Sequence, residues 1–111
     1  MRLHAGYRKA EMHTTPMKIV TIVGEAVLSD RLPAVLRAHG ATGWTMTSAT
    51  GDGSRGMRSG PLPGDNVRLE TVVTEATADR LLSVLATEYF PHFALVAWVT
   101  DGQVVRGEKY R

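Results

Sequence analysis

"MKIVTIV" (residues 17–23) is β-branched and apolar on both of its alternating faces, the composition of a strand buried at the centre of a sheet. Only Lys18 and Thr21 interrupt it, so both faces need covering. The segment that follows, "LSDRLPAVLRAHG" (28–40), sets Leu28, Leu32, Val35, Leu36 and His39 at helical spacing. Ser29 or Asp30 is its expected N-cap and Gly40 its stop. If Asp30 caps, Pro33 falls in the first turn, where its missing N–H costs least. "GWTMTSA" (43–49) then alternates, with Trp44, Met46 and Ser48 on one face and Thr45, Thr47 and Ala49 on the other.

The second half repeats the plan. "VRLETVVT" (67–74) is a strand with Arg68, Glu70 and Val72 on one face and Val67, Leu69 and Val73 on the other. "ATADRLLSVLATEYF" (76–90) carries Ala78, Leu81, Leu82, Leu85 and Tyr89 on one helical stripe that ends before Pro91. "FALVAWVT" (93–100) is the last long strand, and after a turn at Asp101-Gly102 "QVVRGEKY" (103–110) reads as a short extension. The order βαββαβ predicts an α+β, ferredoxin-like sandwich, two helices covering one face of a four-stranded antiparallel sheet. The other face keeps apolar residues, which predicts burial against another subunit.

Composition narrows the function classes. The chain of 111 residues has no cysteine, which excludes thiol catalysis, disulfides and thiolate metal sites. No run reaches the roughly 20 apolar residues of a membrane helix, and the start lacks the apolar centre of a secretion signal, so a cytoplasmic protein is expected. Residues 1–16 hold Arg2, Arg8, Lys9 and Glu11, while basic and acidic residues balance over 17–111. A neutral body is a poor phosphate-tracking surface, so no nucleic acid is expected as a partner. The polar first 16 residues are expected to be a disordered extension, with the folded domain over 17–111. His4, His13, His39 and His92 lack the short spacings of a metal site, and no serine sits in a G-x-S-x-G elbow. No metal, cofactor or catalytic residue is assigned.

One stretch fits neither strand nor helix. "SATGDGSRGMRSGPLPGDN" (48–66) has five of the eleven glycines and two of the five prolines, far beyond the two to five residues that usually join strands. Gly51, Gly53 and Gly56 permit positive φ and close approach of backbone N–H groups to an anion. Arg55 and Arg58 bring two guanidinium forks suited to phosphate oxygens. A solvated flexible loop would share this composition. The stretch lacks the G-K-[ST] end of a Walker A loop.

Taken with its flanks, the chain resembles the PII signal-transduction superfamily. "LSDRLPAVLRAHGATGWTM" (28–46) resembles that family's first helix and second strand, "NVRLETVV" (66–73) its third strand, and "VVRGE" (104–108) its arginine-bearing C-terminal loop. The resemblance covers residues 17–108 and implies a homotrimer holding adenine nucleotides in its three inter-subunit clefts. It implies Thr45, Val23 and Glu70 at the adenine or ribose, and Gly51 and Gly53 at the base of a flexible T-loop spanning about 49–66. Ser54, Arg55 and Arg58 would approach the phosphates, joined by Arg106 and Gly107 from the C-terminal loop of a neighbouring subunit.

The family's lysine-bearing B-loop is replaced by "YFPHF" (89–93), which favours ADP or AMP over a triphosphate. The spacing G-x-G-S-R-x-x-R-S (51–59) resembles the PII-like proteins of carbon-concentrating bacteria, associated with carboxysomes or bicarbonate transport. That implies bicarbonate as a second ligand, with Arg55, Arg58 and Ser59 as its candidates, and an unidentified carboxysome or transporter component as protein target. Two other readings compete. A ferredoxin-like acylphosphatase places its arginine in the loop after the first strand, where this chain has "GEAVLSD" (24–30). A nucleotide-independent trimer resembling the divalent-cation tolerance proteins would leave Arg55 and Arg58 without a role.

Overall fold

The central strand is longer than the apolar run alone indicates. The computed structural model describes residues 13–51 and 66–110, and in it β1 spans Thr14–Glu25. β1 pairs antiparallel with β3 (Asn66–Val73) on one side and with β4 (Leu95–Val105) on the other, and β2 (Thr45–Ala49) pairs with β3 at the edge. The strand order is β2-β3-β1-β4, the antiparallel ferredoxin-like sheet expected from the βαββαβ pattern. Two helices complete it, α1 (Arg31–Ala38) and α2 (Glu75–Val84).

Two expectations need correction. The turn at Asp101-Gly102 does not form, because β4 runs straight through it: Gly102 pairs with Met17 and Asp101 with Lys18. The Lys18 ammonium donates to the Asp101 carboxylate at that point. This hydrogen bond, helped by the charges of Asp101, Glu75 and Asp79, raises the lysine's pKa above its ordinary value. A Cβ at Gly102 would come 2.9 Å from Ile19 Cδ1, the end of a side chain that can turn aside. The same long β4 draws Thr14, Thr15 and Pro16 into pairing with Val105, Val104 and Gln103. The folded body therefore starts inside the stretch expected to be disordered, whose residues 1–12 lie outside the described residues.

Alternation along β1 sorts the sheet into two faces. Val20 and Ile22 join Val67, Leu69 and Val73 of β3 in a cluster with Leu28, Leu32 and Leu36 around α1 and Ala78, Leu81 and Leu85 around α2. Leu95, Ala97 and Val99 of β4 and Trp44 and Met46 flank this core. The helices end for local reasons. Asp30 precedes α1 without a side-chain capping bond. Gly40 takes φ +105° and lets the Ala41 N–H reach the Leu36 carbonyl at 2.9 Å. α2 is capped by the Thr74 hydroxyl, which accepts from the Thr77 N–H. It then widens into a π-helical turn over Leu85–Tyr89 before Pro91.

The opposite face carries Ile19, Thr21 and Val23 of β1, Arg68, Glu70 and Val72 of β3, Thr45 and Thr47 of β2, and Val96 and Trp98 of β4. Neither α1 nor α2 covers it, and Val96 and Trp98 are 46% and 41% exposed.

Truncating the core should be costly. Leu36 is fully buried in the cluster, so Leu36→Ala should lower stability by about 2–5 kcal/mol. Urea unfolding of the variant beside wild type measures it, and a loss below ~1 kcal/mol would contradict the packing described.

Candidate functional site

The uncovered face gathers part of the expected site. Strand register places Thr45 opposite Glu70, and Glu70 opposite Thr21 of β1. Three side chains of different elements therefore lie in one row across the sheet. The Glu70 carboxylate accepts from Arg68 at 3.0 Å and from the Thr21 hydroxyl at 3.4 Å. Arg68 stands two residues from Glu70 on the same face, the one spacing at which neighbours along a strand can meet. The carboxylate is thus oriented, and its remaining lone pairs are free to accept hydroxyl groups of a ligand.

Beside this row lies a cleft of about 290 Å³, near the lower end of the size of small-molecule sites. It is lined by Thr45 and Glu70, by Trp44 and Val72, and by Lys109 and Tyr110 of the C-terminal segment. Its rim at Gly43 is fixed by the Thr71 hydroxyl, which donates to the Gly43 carbonyl at 2.6 Å. Val23 lies one step along the same face, opposite Arg68 and Val96, and does not line the cleft.

The C-terminal segment reaches the cleft by a constrained route. Arg106 follows β4 with φ +67°, the only non-glycine residue with positive φ among the described residues. A left-handed arginine costs about 1–2 kcal/mol relative to ordinary backbone. Gly107 is buried directly over Thr15, and a Cβ at that position would overlap the Thr15 side chain. A 3-10 turn over Gly107–Tyr110 follows, closed by the Lys109 N–H donating to the Arg106 carbonyl at 3.1 Å. Chain reversal at Arg106 and close approach at Gly107 together fold the turn back over β1.

The remaining expected residues are not brought together in one chain. Gly51 stands two residues past β2, with open space around it, next to the strand end where Ala49, Asn66 and Glu25 align. Arg106 emerges at the other end, beyond the Thr14–Val105 pair. Eleven residues of β1 separate these ends, about 36 Å at the rise of a strand. Gly53, Ser54, Arg55, Arg58 and Ser59 lie outside the described residues. Sequence reasoning did not single out Arg68, Val72, Lys109 or Tyr110. Strand alternation signalled the first two, but nothing local signals that residues 109–110 return to β3. Among the described residues no cluster of histidine and carboxylate groups could hold a metal ion, and no helix is long and apolar enough to cross a membrane.

Comparison with known proteins adds three findings. The family model described as nitrogen regulatory protein P-II matches residues 17–109. A PII-like signaling protein from Thermus thermophilus is 51% identical, with 90% of this chain and all of that one covered and a TM-score of 0.79. CPII from Thiomonas intermedia, in a structure bound to ADP and bicarbonate, is 27% identical over 90% of this chain and 99% of that one, with a TM-score of 0.81. The same protein bound to ADP, AMP and bicarbonate matches at 27% identity and a TM-score of 0.81, covering 90% and 98% of the two chains.

The backbone at the C-terminal segment makes two substitutions opposite in sign. Arg106→Gly should raise stability by up to about 1 kcal/mol, because relief of the left-handed penalty exceeds the extra chain entropy of glycine, roughly 0.5–1 kcal/mol. Gly107→Ala should lower stability and speed hydrogen exchange at the Lys109 amide, because the added methyl pushes the turn off Thr15. Thermal melts with amide exchange test the pair; equal behaviour of both variants would refute the geometry given for this turn.

Proposed function

The chain belongs to the nitrogen regulatory protein P-II family, and on that premise we propose that it is a non-enzymatic regulatory sensor of adenine nucleotides. ADP or AMP binds in clefts between the subunits of a homotrimer, with bicarbonate as a second ligand. The occupied state is reported through the loop between β2 and β3 to a protein target of carboxysome or bicarbonate-transport type.

The observation that carries this reading is the cleft in which Thr45 faces a Glu70 carboxylate already oriented by Arg68 and Thr21. A ribose needs acceptors for its hydroxyls, and an oriented carboxylate beside a threonine hydroxyl supplies them. The structures of CPII bound to ADP and bicarbonate, and to ADP, AMP and bicarbonate, support the choice of ligands.

Reach supports the trimer. Arg55 lies six residues past Ala49, at most ~20 Å of extended chain, while Arg106 leaves the sheet about 36 Å from that end. That separation favours an arrangement in which the guanidinium groups meeting one phosphate come from different chains. The uncovered sheet face with Val96 and Trp98 supplies apolar surface for such an assembly. In this reading Gly51, Gly53, Ser54, Arg55 and Arg58 come from one subunit, and Arg106 and Gly107 from its neighbour. Arg55, Arg58 and Ser59 also face the bicarbonate.

Calorimetry with ADP and AMP, each with and without bicarbonate, tests the reading together with light scattering for a trimer mass. Arg106→Ala should weaken ADP by about tenfold or more, the value of one charge-assisted hydrogen bond of roughly 1.5–3 kcal/mol. Bicarbonate should raise ADP affinity by the same factor as ADP raises bicarbonate affinity. A monomer that binds no nucleotide would overturn the proposal; nucleotide binding indifferent to bicarbonate would remove its carbon-sensing part.

A further inference from the structure

The C-terminal turn adds a wall to the cleft that none of the expected site residues provides. Two rings line the cleft, Trp44 and Tyr110. Trp44 is engaged, with the Arg37 guanidinium 4.1 Å from its ring centroid and its body packed against the hydrophobic core. Tyr110 is half-buried and is delivered by the backbone route through Arg106 and Gly107, with the Lys109 ammonium 5.7 Å from its ring centroid. The sheet floor under it offers the Thr45 hydroxyl and the Glu70 carboxylate with a single aliphatic side chain, Val72. Such a floor recognises hydroxyl groups well, but it has no flat apolar surface on which a heterocycle could lie.

Resting on the proposed nucleotide reading, we infer that Tyr110 is the stacking platform for the purine base and that Lys109, whose ammonium lies over the same ring, helps to hold it in place. The base lies between the Tyr110 ring and Val72, so that the adjoining ribose meets Glu70 and Thr45. A stacked ring favours every aromatic base over none, because each has a π-face. Tyr110 therefore separates nucleotides from base-free phosphates, while the arginines treat both alike.

Calorimetry of wild type, Tyr110→Ala, Tyr110→Phe and Lys109→Met with ADP and with inorganic pyrophosphate, a probe without a base, tests this. Tyr110→Ala should weaken ADP about tenfold or more and leave pyrophosphate unchanged, while Tyr110→Phe should bind ADP within about twofold of wild type. Lys109→Met should fall between them. If wild type binds ADP and Tyr110→Ala binds it equally well, this inference is wrong and the nucleotide reading stands. Parallel loss of ADP and pyrophosphate in Tyr110→Ala also overturns it, since the residue would then only support the turn. If wild type binds no ADP, both fall.

Discussion

The pairing of β1 with β4 over eleven consecutive positions, from Thr14–Val105 to Gly24–Leu95, is the constraint on which the rest depends. A strand of this length hydrogen-bonded on both sides has no free backbone polar groups over most of its course, so the sheet is fixed end to end. Its length also sets Arg106, beyond the Thr14–Val105 pair, about 36 Å from the end where β2 stops. The trimer proposed for this chain is thus tied to strand length as well as to apolar surface.

The same pairing explains which parts were legible from sequence. Alternation in "VRLETVVT" assigned Arg68, Glu70 and Val72 to the uncovered face, and the helical stripes named Leu32, Leu36, Ala78, Leu81 and Leu85 as core. Each of those assignments rests on a short local period. The Asp101-Gly102 pair looked like a turn because Asp-Gly commonly is one. Here the partner strand overrode it: Lys18 stood ready for Asp101, and Met17 paired with Gly102. Pairing partners are nonlocal, and local turn chemistry cannot see them.

The site divides along the same line. Thr45 and Glu70 could be placed beside each other once the strands were known, since register alone makes them partners. Arg68 as the group that orients Glu70 was implicit in a two-residue spacing. Tyr110 was invisible, because its position depends on Arg106 taking φ +67° and on Gly107 meeting Thr15. An L-residue with positive φ cannot be anticipated from a sequence in which glycine is the very next residue.

That ordering of Arg106 before Gly107 carries its own argument. Were stability the only demand, glycine would occupy the left-handed position, and the strain of roughly 1–3 kcal/mol associated with such backbone would vanish. Glycine stands instead at 107, where a side chain has no room, and the strained position holds a guanidinium that is exposed and makes no ion pair among those described. Backbone strain borne by an exposed cation gains nothing within one chain. On the proposed nucleotide reading, the strain would hold the cation out for an anion beyond the chain's own surface, and the same turn returns Tyr110 to the cleft.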